Sequence, residues 1–441
     1  MNRRQFAQSL TTGAAALALG APSAFAQSPA SIRDAFLYGF APYEMARLAA
    51  RATTTGTGFN RFGHRSTLSD HTARTVTTPN NDTLYSSAWI DLSGGPVEVF
   101  APSVLGRYFS VAFMSAFTDN FRIIGTRATG GRGGRFWIVG PGYRGAAPAG
   151  VELIRSPTTD LWALARILVD GPSDLEAAKA VQQRFTMTPV TADPLIPRRV
   201  APTSASDAHN FLGVVNESLW RSRHGTGPAS RASRYRATGL GPVEADTWEA
   251  MPEVQRVLWQ GTITQTLAEL KAGFARKGHE VDGWLYPAAN TGDFGDDDAY
   301  RAQVALSGLG ALPPEEAVYL SADRDASGAE LNGASRYVFS LPAGGAPVDA
   351  FWSLSMYEPD ADGRLFFVDN PVRRFAIGNR TEGLKVNADG SMAIMLSADQ
   401  PDDTSNWLPA PRGPFRVTFR AYLPRANLRN GRWTLPPLAK I

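Results

Sequence analysis

The sequence predicts an α+β protein with two antiparallel β-barrel or sandwich modules, an N-terminal helix, and a helical section between the modules. Short apolar runs separated by turn residues recur in two parts of the chain, which is typical of antiparallel sheets. The chain contains 42 Gly and 31 Pro, which suits many tight turns better than a helical bundle. Its 441 residues are too many for one ordinary core, so two or more domains are expected.

The N-terminus has the pattern of an export signal. The pair Arg3-Arg4 precedes an apolar run, Leu10–Gly20, that is too short to span a bilayer. Phe6, two positions after the pair, resembles the twin-arginine type of signal. A small-x-small site, Ala24–Ala26, follows. We therefore expect residues 1–26 to be a signal peptide cleaved after Ala26, a periplasmic location, and no integral membrane segment in the mature chain.

Residues 27–72 are expected to form a helix and a loop. Ser31 is a suitable N-cap, and Ser31–Arg51 carries an apolar stripe near helical spacing. Pro42 falls inside this helix and is expected to kink it. Thr53–Ser69 is polar and Gly-rich, so it is predicted as the loop that leads into the first module.

The first β module, residues 73–187, is organised around Arg74–Pro102. Asn80, Asn81 and Asp82 are short polar residues that suit a structural turn. Leu84–Asp91 follows them and is predicted as a strand because it is rich in aromatic and β-branched residues. We expect the Asp82 carboxylate to accept bonds from backbone N–H groups or an arginine, which would keep it ionised.

Strand alternation gives the predicted strand two different faces. Tyr85, Ser87 and Trp89 share one face, and the intervening, smaller residues share the other. Large rings with a polar handle bury apolar area and still offer a hydrogen bond. We therefore predict that Tyr85 and Trp89 contact a ligand.

Residues 188–333 are predicted as a linker and a helical section. Prolines crowd Thr188–Ser206, which suits an extended linker. Asp207–Ser222 and Asp246–Lys277 carry apolar residues at helical spacing, and a shorter helix is expected at Ala299–Gly308.

The second β module is predicted for residues 334–441, where Asp362-Gly363 and Asp389-Gly390 are hairpin turn signals. The two modules share a faint motif, FRIIGTR at Phe121–Arg127 and RFAIGNR at Arg374–Arg380. Either an ancient duplication or chance similarity between short β motifs would produce it.

Several motifs resemble known families. The stretches TTPNNDTLYSSAWIDLSGGPVEV and RYFSVAFMSAFTDNFRIIGTRATG resemble the family named domain of unknown function 1254. The partner family, domain of unknown function 1214, is resembled by FWSLSMY, DNPVRRFAIGNR, LKVNADG and NWLPAPRGPF. The two families commonly occur in tandem, as here, so the resemblance implies the same two-module arrangement and supplies almost no chemistry.

Composition excludes several classes of partner. The formal charge is only +3, and the basic residues are scattered among acids, so no nucleic-acid-binding face is expected. The chain has no cysteine, which excludes disulfides, thiolate-bound iron–sulfur clusters and covalently attached haem. We expect no cofactor.

We also expect no bound metal. His64 and His71 lie seven positions apart in a polar loop, where they could converge with a nearby aspartate, but they lack the spacing of a closed site. Asp323–Gly328 matches the start of a calcium loop, yet Ala334 stands where a bidentate glutamate is needed. A polar turn is the favoured interpretation of that segment.

Aromatic residues within the family motifs are the main candidates for ligand contact. The predicted ligand-binding residues are Tyr85, Trp89, Trp352, Tyr357, Trp407 and Arg374. We therefore expect a soluble exported protein that binds a small apolar or aromatic molecule, with or without converting it, in a pocket of the β modules. The competing hypothesis is a non-enzymatic envelope scaffold or interaction protein. No sequence motif assigns a reaction or an oligomeric state.

Overall fold

The computed structural model describes residues 28–441, so the predicted signal peptide lies outside the described residues. Helix α1 (Pro29–Thr55) opens this part of the chain. It begins at Ser28, whose hydroxyl accepts the backbone N–H of Ser31, while the Ser31 hydroxyl bonds back to the Ser28 backbone. This capping box places the helix start three residues before the predicted cap.

The first module is an open sandwich of two sheets. In chain order its elements are β1 (Gly63–Arg65), β2 (Thr83–Asp91), β3 (Val97–Ala101), β4 (Phe109–Ser115), β5 (Asn120–Gly125), β6 (Gly134–Val139), β7 (Val151–Arg155), β8 (Asp160–Leu168), α2 (Leu175–Gln182) and β9 (Thr186–Pro189). One sheet has the order β1-β2-β8-β4-β5 and the other β7-β6-β3-β9. Apolar side chains of both sheets, such as Ile90, Val99 and Ile167, meet in one core.

A helical section follows the first module. Its elements are α3 (Ala208–Arg221), α4 (Glu253–Lys271), the hairpin β10 (Gly278–Val281) and β11 (Trp284–Pro287), and α5 (Asp298–Ser307). Helix α1 packs against α3, α4 and α5 around Phe36, Phe211 and Trp259. The predicted helices are confirmed with shifted ends. The N-cap of α3 is Asp207, whose carboxylate accepts backbone N–H groups of the first turn.

The second module is also an open sandwich. Its elements are β12 (Ala317–Ala322), β13 (Tyr337–Leu341), β14 (Val348–Pro359), β15 (Leu365–Phe367), β16 (Ala376–Gly378), β17 (Met392–Ser397), β18 (Trp407–Pro409), β19 (Arg416–Pro424), α6 (Ala426–Arg429) and β20 (Leu438–Lys440). One sheet runs β10-β11-β12-β19-β14-β15, with β16 also paired to β14, and the other β18-β17-β13-β20. This sheet therefore includes β10, β11 and β12, which all precede residue 334, the predicted start of the second module.

Within residues 28–441 none of the four sheets closes into a barrel, so the barrel form of the prediction is wrong. Short alternating strands with frequent turns are common to barrels and sandwiches. Whether a barrel or a sandwich forms depends on whether edge strands that are far apart in sequence pair with each other. Local sequence patterns do not encode that pairing.

The two modules have the same topology. In one sheet of each module the order β2-β8-β4-β5 corresponds to β12-β19-β14-β16. In the other sheet the order β7-β6-β3-β9 corresponds to β18-β17-β13-β20. In chain order the eight strands correspond one to one, and the pairs β6–β7 and β17–β18 are both parallel. The shared FRIIGTR and RFAIGNR motifs fall on the equivalent strands β5 and β16. This topology supports the duplication hypothesis over chance.

The duplicated sheets pack against each other through equivalent faces. Tyr108 and Leu168 of the first module form a cluster with Phe351 and Tyr422 of the second. The rings of Tyr108 and Tyr422 meet edge to face with centroids 5.2 Å apart. The interface between the modules is therefore aromatic, and its polar atoms must find partners across it.

Candidate functional site

A cleft of about 290 Å³ lies between α1 and the first β module. Its walls come from α1, from the end of β2, and from the chain segment that leads into α3. Its lining residues include Met45, Ala46, Ala49, Phe59, Trp89, Asp160, Arg198 and Arg221. The size is near the lower end of the range for small-molecule sites.

Trp89 lines the cleft and is supported by a second tryptophan, Trp162. Trp89 of β2 stacks on Trp162 of β8, with ring centroids 5.1 Å apart and planes 4° from parallel. The Trp162 indole N–H donates to Ser87 Oγ at 2.8 Å, so Ser87 and Trp89 point to the same face of β2. Leu84 and Ala88 point into the sandwich core on the other face. The predicted alternation of this strand is confirmed.

Helix α1 supplies the opposite, apolar wall. Met45, Ala46 and Ala49 lie on one side of the helix, and Met45 and Ala49 cluster with Trp89. Small alanines leave the space that larger side chains would fill, which is why the cleft exists beside a well-packed helix.

The polar end of the cleft is a closed ion-pair network. Arg221 binds Asp160 through Nε at 2.6 Å and Asp91 through NH2 at 2.7 Å. Arg198 contacts the same two carboxylates at 2.7 and 2.9 Å, and its guanidinium lies 4.0 Å from the Phe59 ring centroid. Burial favours the neutral acid of Asp160, but the two arginines outweigh it and lower its pKa. Two cations and two anions cancel, so the network leaves no net charge for a ligand.

A second polar cluster, built around Arg166 and Arg420, lies between the modules. The sequence alone does not predict it. Arg166 of β8 stands beside Tyr85 of β2 and Ser110 of β4 in the strand register. The duplicated sheet repeats this triplet, with Arg420 beside Tyr319 and Ser353. In each triplet the guanidinium lies over the tyrosine ring, at 5.5 Å for Arg166 and 6.0 Å for Arg420.

Arg420 is held by several internal hydrogen bonds. Its NH1 donates to Ser355 Oγ at 2.7 Å, and NH2 donates to Tyr357 Oη at 2.6 Å. NH2 also approaches the carbonyl oxygens of Thr78 and Pro79 at 3.1 and 3.3 Å. These bonds tie the second module to the turn before β2, and the nearby Asp82 carboxyl adds an electrostatic interaction with this cation.

Arg166 is much less well satisfied. Only its NH2 donates, to the Gly310 carbonyl at 2.8 Å. Nε and NH1 are buried and have no hydrogen-bond partner in the described part of the chain, and the Glu316 carboxyl interacts with this cation only as a nearby charge. A buried guanidinium with unmade hydrogen bonds is costly, so this arginine needs an explanation.

Two carboxyls border the cluster from equivalent positions before β2 and β12. Asp82 accepts the Ser353 hydroxyl at 2.7 Å, and Glu316 accepts the Tyr108 hydroxyl at 2.9 Å. Burial raises the pKa of both groups, although Arg420 acts in the opposite direction on Asp82 and Arg127 on Glu316. The predicted hydrogen-bond partner of Asp82, a backbone N–H or an arginine, is therefore wrong. Its partner is a neutral hydroxyl, and burial favours the protonated acid.

Asn80 forms the turn as predicted, whereas the Asn81 side chain bonds a main-chain group twelve positions away. Asn80 Oδ1 accepts the Asp82 N–H at 2.7 Å, and Asn81 donates to the Ser69 carbonyl. Asn80 also donates across the interface to the Tyr422 hydroxyl at 2.7 Å and to the Tyr85 hydroxyl at 3.0 Å. A local turn residue thus links the two modules.

The remaining predicted ligand residues lie apart from the cleft. Trp352 stacks on Phe419 inside the second sandwich, with ring centroids 5.4 Å apart. Trp407 is buried and donates its indole N–H to the Ser397 carbonyl at 3.0 Å. Arg374 donates to main-chain carbonyls, including that of Thr404 at 2.6 Å. Tyr357 is buried against Arg420, and Tyr85 belongs to the inter-module cluster rather than to the lining of the cleft.

The histidines of the predicted loop do not converge. His64 bonds Ser86 Oγ at 2.7 Å, whereas His71 lies 3.5 Å from Asp369. In Asp323–Gly328 the Asp325 carboxylate accepts N–H and O–H groups of Ser327, as in an ordinary polar turn.

A cavity of about 340 Å³ beside α3 is lined in part by His209 and Asp246. With Glu249 these residues form an exposed group whose ligand atoms lie close together. His209 is bonded to Asp246 at 2.9 Å and stacked on Trp248, which explains its position without an ion.

No helix among residues 28–441 is long and apolar enough to cross a membrane.

Comparisons place the two modules among known proteins. Residues 59–189 match a family described as protein of unknown function (DUF1254), and residues 316–426 match protein of unknown function (DUF1214). The crystal structure of the VPA0106 protein from Vibrio parahaemolyticus is similar, with a TM-score of 0.74 at 24% identity over 94% of this chain and 99% of that chain. An uncharacterized protein from Burkholderia cenocepacia has a TM-score of 0.43 at 13% identity over 91% of this chain and 87% of that chain. No curated protein matches this chain. The likeness to the Vibrio protein shows the fold.

Proposed function

Because the chain belongs to the tandem families DUF1254 and DUF1214, and neither family description names an activity, we propose a function from its own geometry. We propose that this protein is exported to the periplasm and binds a small, neutral, apolar or aromatic molecule in the cleft between α1 and the first β module. The observation that carries the proposal is Trp89, held by stacking on Trp162, at the wall of an open and largely apolar cleft of about 290 Å³.

The charge balance of the cleft supports a neutral ligand. Arg198 and Arg221 would attract an anion if they were free, but Asp91 and Asp160 already satisfy them. A ligand that separated these pairs would leave buried charges unpaired, at a cost of several kcal/mol. Apolar contact with Trp89, Met45 and Phe59 therefore supplies the favourable free energy.

The volume supports a molecule of about two fused rings. An apolar protein cavity of roughly 150 Å³ holds benzene. The cleft is about twice that size and is open at one side. We assign binding and no reaction, because the carboxylates that line this cleft are engaged by arginines or backbone N–H groups rather than free to move a proton.

Titration calorimetry with 2-naphthol, a neutral bicyclic aromatic at pH 7, tests the proposal. We expect saturable binding at one site per chain. Ala46→Phe places a ring in the cleft and should raise Kd at least tenfold. Arg51→Phe adds the same ring to an exposed position of the same helix and should leave Kd unchanged.

Equal binding by wild type and Ala46→Phe, with both proteins folded by circular dichroism, would show that the molecule binds elsewhere. Absence of 2-naphthol binding to wild type would remove the proposal for aromatic ligands of this size. Tryptophan emission gives a second readout, since a ring stacked beside the Trp89 indole should change its share of the signal from the ten tryptophans of the chain.

A further inference from the structure

We propose that Arg166, at the interface between the two modules, binds the carboxylate of a small organic acid. This site is separate from the cleft, and the proposal does not depend on the function proposed for that cleft. A bound carboxylate would explain why Arg166 is only 4% exposed although its Nε and NH1 have no hydrogen-bond partner in the described part of the chain.

The duplication supplies an internal comparison for this arginine. Arg420 occupies the equivalent position and is satisfied by the Ser355 and Tyr357 side chains of β14. The register aligns Ser110 with Ser353, each opposite its arginine, so Ala112 and Met114 of β4 correspond to Ser355 and Tyr357.

Neither Ala112 nor Met114 has an oxygen that can accept from a guanidinium. The first module therefore keeps the arginine but lacks the two side-chain acceptors that satisfy its counterpart. An unfilled donor set of this kind suits an acceptor that arrives from outside the chain.

The surroundings of Arg166 contain several hydroxyl donors. Burial raises the pKa of Tyr108, Tyr319 and Tyr422, so these hydroxyls stay protonated. Tyr85 and Tyr319 lie at the interface, each on the sheet face that packs against the other module. Both are only half-buried, so part of each side chain borders space that water-sized molecules can reach. A ligand carboxylate in that space could accept from Arg166 and from a tyrosine hydroxyl.

The nearby acids favour a monoanion over a phosphate. Asp82 and Glu316 both border the cluster, and when ionised either group would repel a dianion about twice as strongly as a monoanion. One planar carboxylate supplies two acceptor oxygens to the free N–H groups of one guanidinium and adds only a single charge.

Thermal unfolding and titration calorimetry with sodium benzoate and sodium acetate test the proposal, with benzamide as the neutral match for benzoate. We expect saturable binding of benzoate or acetate, a rise in Tm that grows with ligand concentration, and no response to benzamide. Arg166→Gln should raise Kd at least tenfold. Arg184→Gln removes the same charge from an exposed position and should change nothing.

Ala112→Ser gives the first module an equivalent of Ser355, one of the two side-chain acceptors that bind Arg420 in the second module. We expect the new hydroxyl to bond NH1 of Arg166, as Ser355 bonds Arg420, and so to weaken carboxylate binding at least threefold while raising Tm without ligand. This variant keeps the test decisive if Arg166→Gln does not fold.

Three results would overturn the proposal: no response of wild type to either carboxylate, unchanged affinity in Arg166→Gln, or unchanged affinity in Ala112→Ser. The cleft variant Ala46→Phe separates the two sites. Benzoate binding that is lost in Ala46→Phe and kept in Arg166→Gln would place the acid in the cleft and refute this assignment.

Discussion

Asp82 and Glu316 show how single residues join the two modules. Each carboxyl precedes the first strand of its own duplicated sheet and bonds a hydroxyl of the other module, Ser353 for Asp82 and Tyr108 for Glu316. The exchange is reciprocal because the two sheets present equivalent faces. Burial raises the pKa of both groups, so the folded state holds their protons more tightly than the unfolded chain does.

The raised pKa of Asp82 gives a prediction with a definite sign. The folded state holds the proton more tightly than the unfolded chain, so the ionised carboxylate costs stability as pH rises from about 4 through the folded pKa. We expect Asp82→Asn, whose amide oxygen can still accept from Ser353, to raise the free energy of unfolding at pH 7. The gain should shrink towards pH 4. Urea unfolding of both proteins across this range measures it.

Asp174 is a matched control with the opposite sign. A bidentate bond from Arg107 lowers its pKa, so it stabilises the fold at neutral pH, and this stabilisation is lost as pH falls through the folded pKa. Asp174→Asn should therefore lower the free energy of unfolding at pH 7. A loss of stability at pH 7 in Asp82→Asn as well would contradict the interpretation of Asp82.

Strand pairing in both modules depends on a glycine at the same place. Gly125 of β5 lies opposite Ser110 of β4, and Gly378 of β16 lies opposite Ser353 of β14. A Cβ at Gly125 would lie 2.3 Å from the Phe109 carbonyl oxygen. The two glycines of FRIIGTR and RFAIGNR therefore serve close approach of neighbouring strands, which explains why the motif repeats.

Gly378→Ala should destabilise the second module. The new Cβ would lie 2.2 Å from the Trp352 carbonyl oxygen, and backbone must move to make room. We expect a loss of about 1–3 kcal/mol in the free energy of unfolding, measured by urea denaturation. Gly413→Ala has no heavy atom within 4 Å of its Cβ and should change stability by less than about 0.5 kcal/mol. Similar stabilities for the two variants would show that β16 tolerates a side chain here.

At the scale of the whole molecule, the modules are joined by main chain as well as side chains. The Thr78 N–H donates to the Leu365 carbonyl at 2.8 Å, and the Tyr357 hydroxyl donates to the Pro79 carbonyl at 2.6 Å. The turn before β2 is thus fixed by the second module. We expect the pair to fold as one unit, and twin-arginine export carries proteins that are already folded.

The export proposal makes a prediction for the full chain. Arg3→Lys combined with Arg4→Lys keeps the positive charge of a general signal but removes the arginine pair. We expect the protein to accumulate as uncleaved precursor in the cytoplasm, as measured by cell fractionation and mass spectrometry. Wild type should appear in the periplasm with Gln27 at its N-terminus.

Arg33→Lys combined with Arg47→Lys, outside the signal, is the control and should be exported normally. Periplasmic protein that retains Met1 would exclude cleavage. Normal export of the variant with Lys at both signal positions would exclude the twin-arginine route.

The sequence by itself determined features that depend on near neighbours. The start of a helix at Asp207, the Asn80 turn and the alternation of Ser87 and Trp89 were all predicted, because helical spacing, Asx turns and strand periodicity act over a few residues. The family motifs likewise predicted two modules in the correct order.

Only the tertiary structure decided which side chains meet between the modules. Asn80 bonds Tyr422 across 342 positions, and Arg166 bonds Gly310 across 144. The Asp–x–x–Tyr spacing at Asp82 recurs as Glu–x–x–Tyr at Glu316, but this pattern gains meaning only when both sheets are known to face each other. Partners this distant are chosen by the packing of two whole sheets, and local sequence carries no record of that choice.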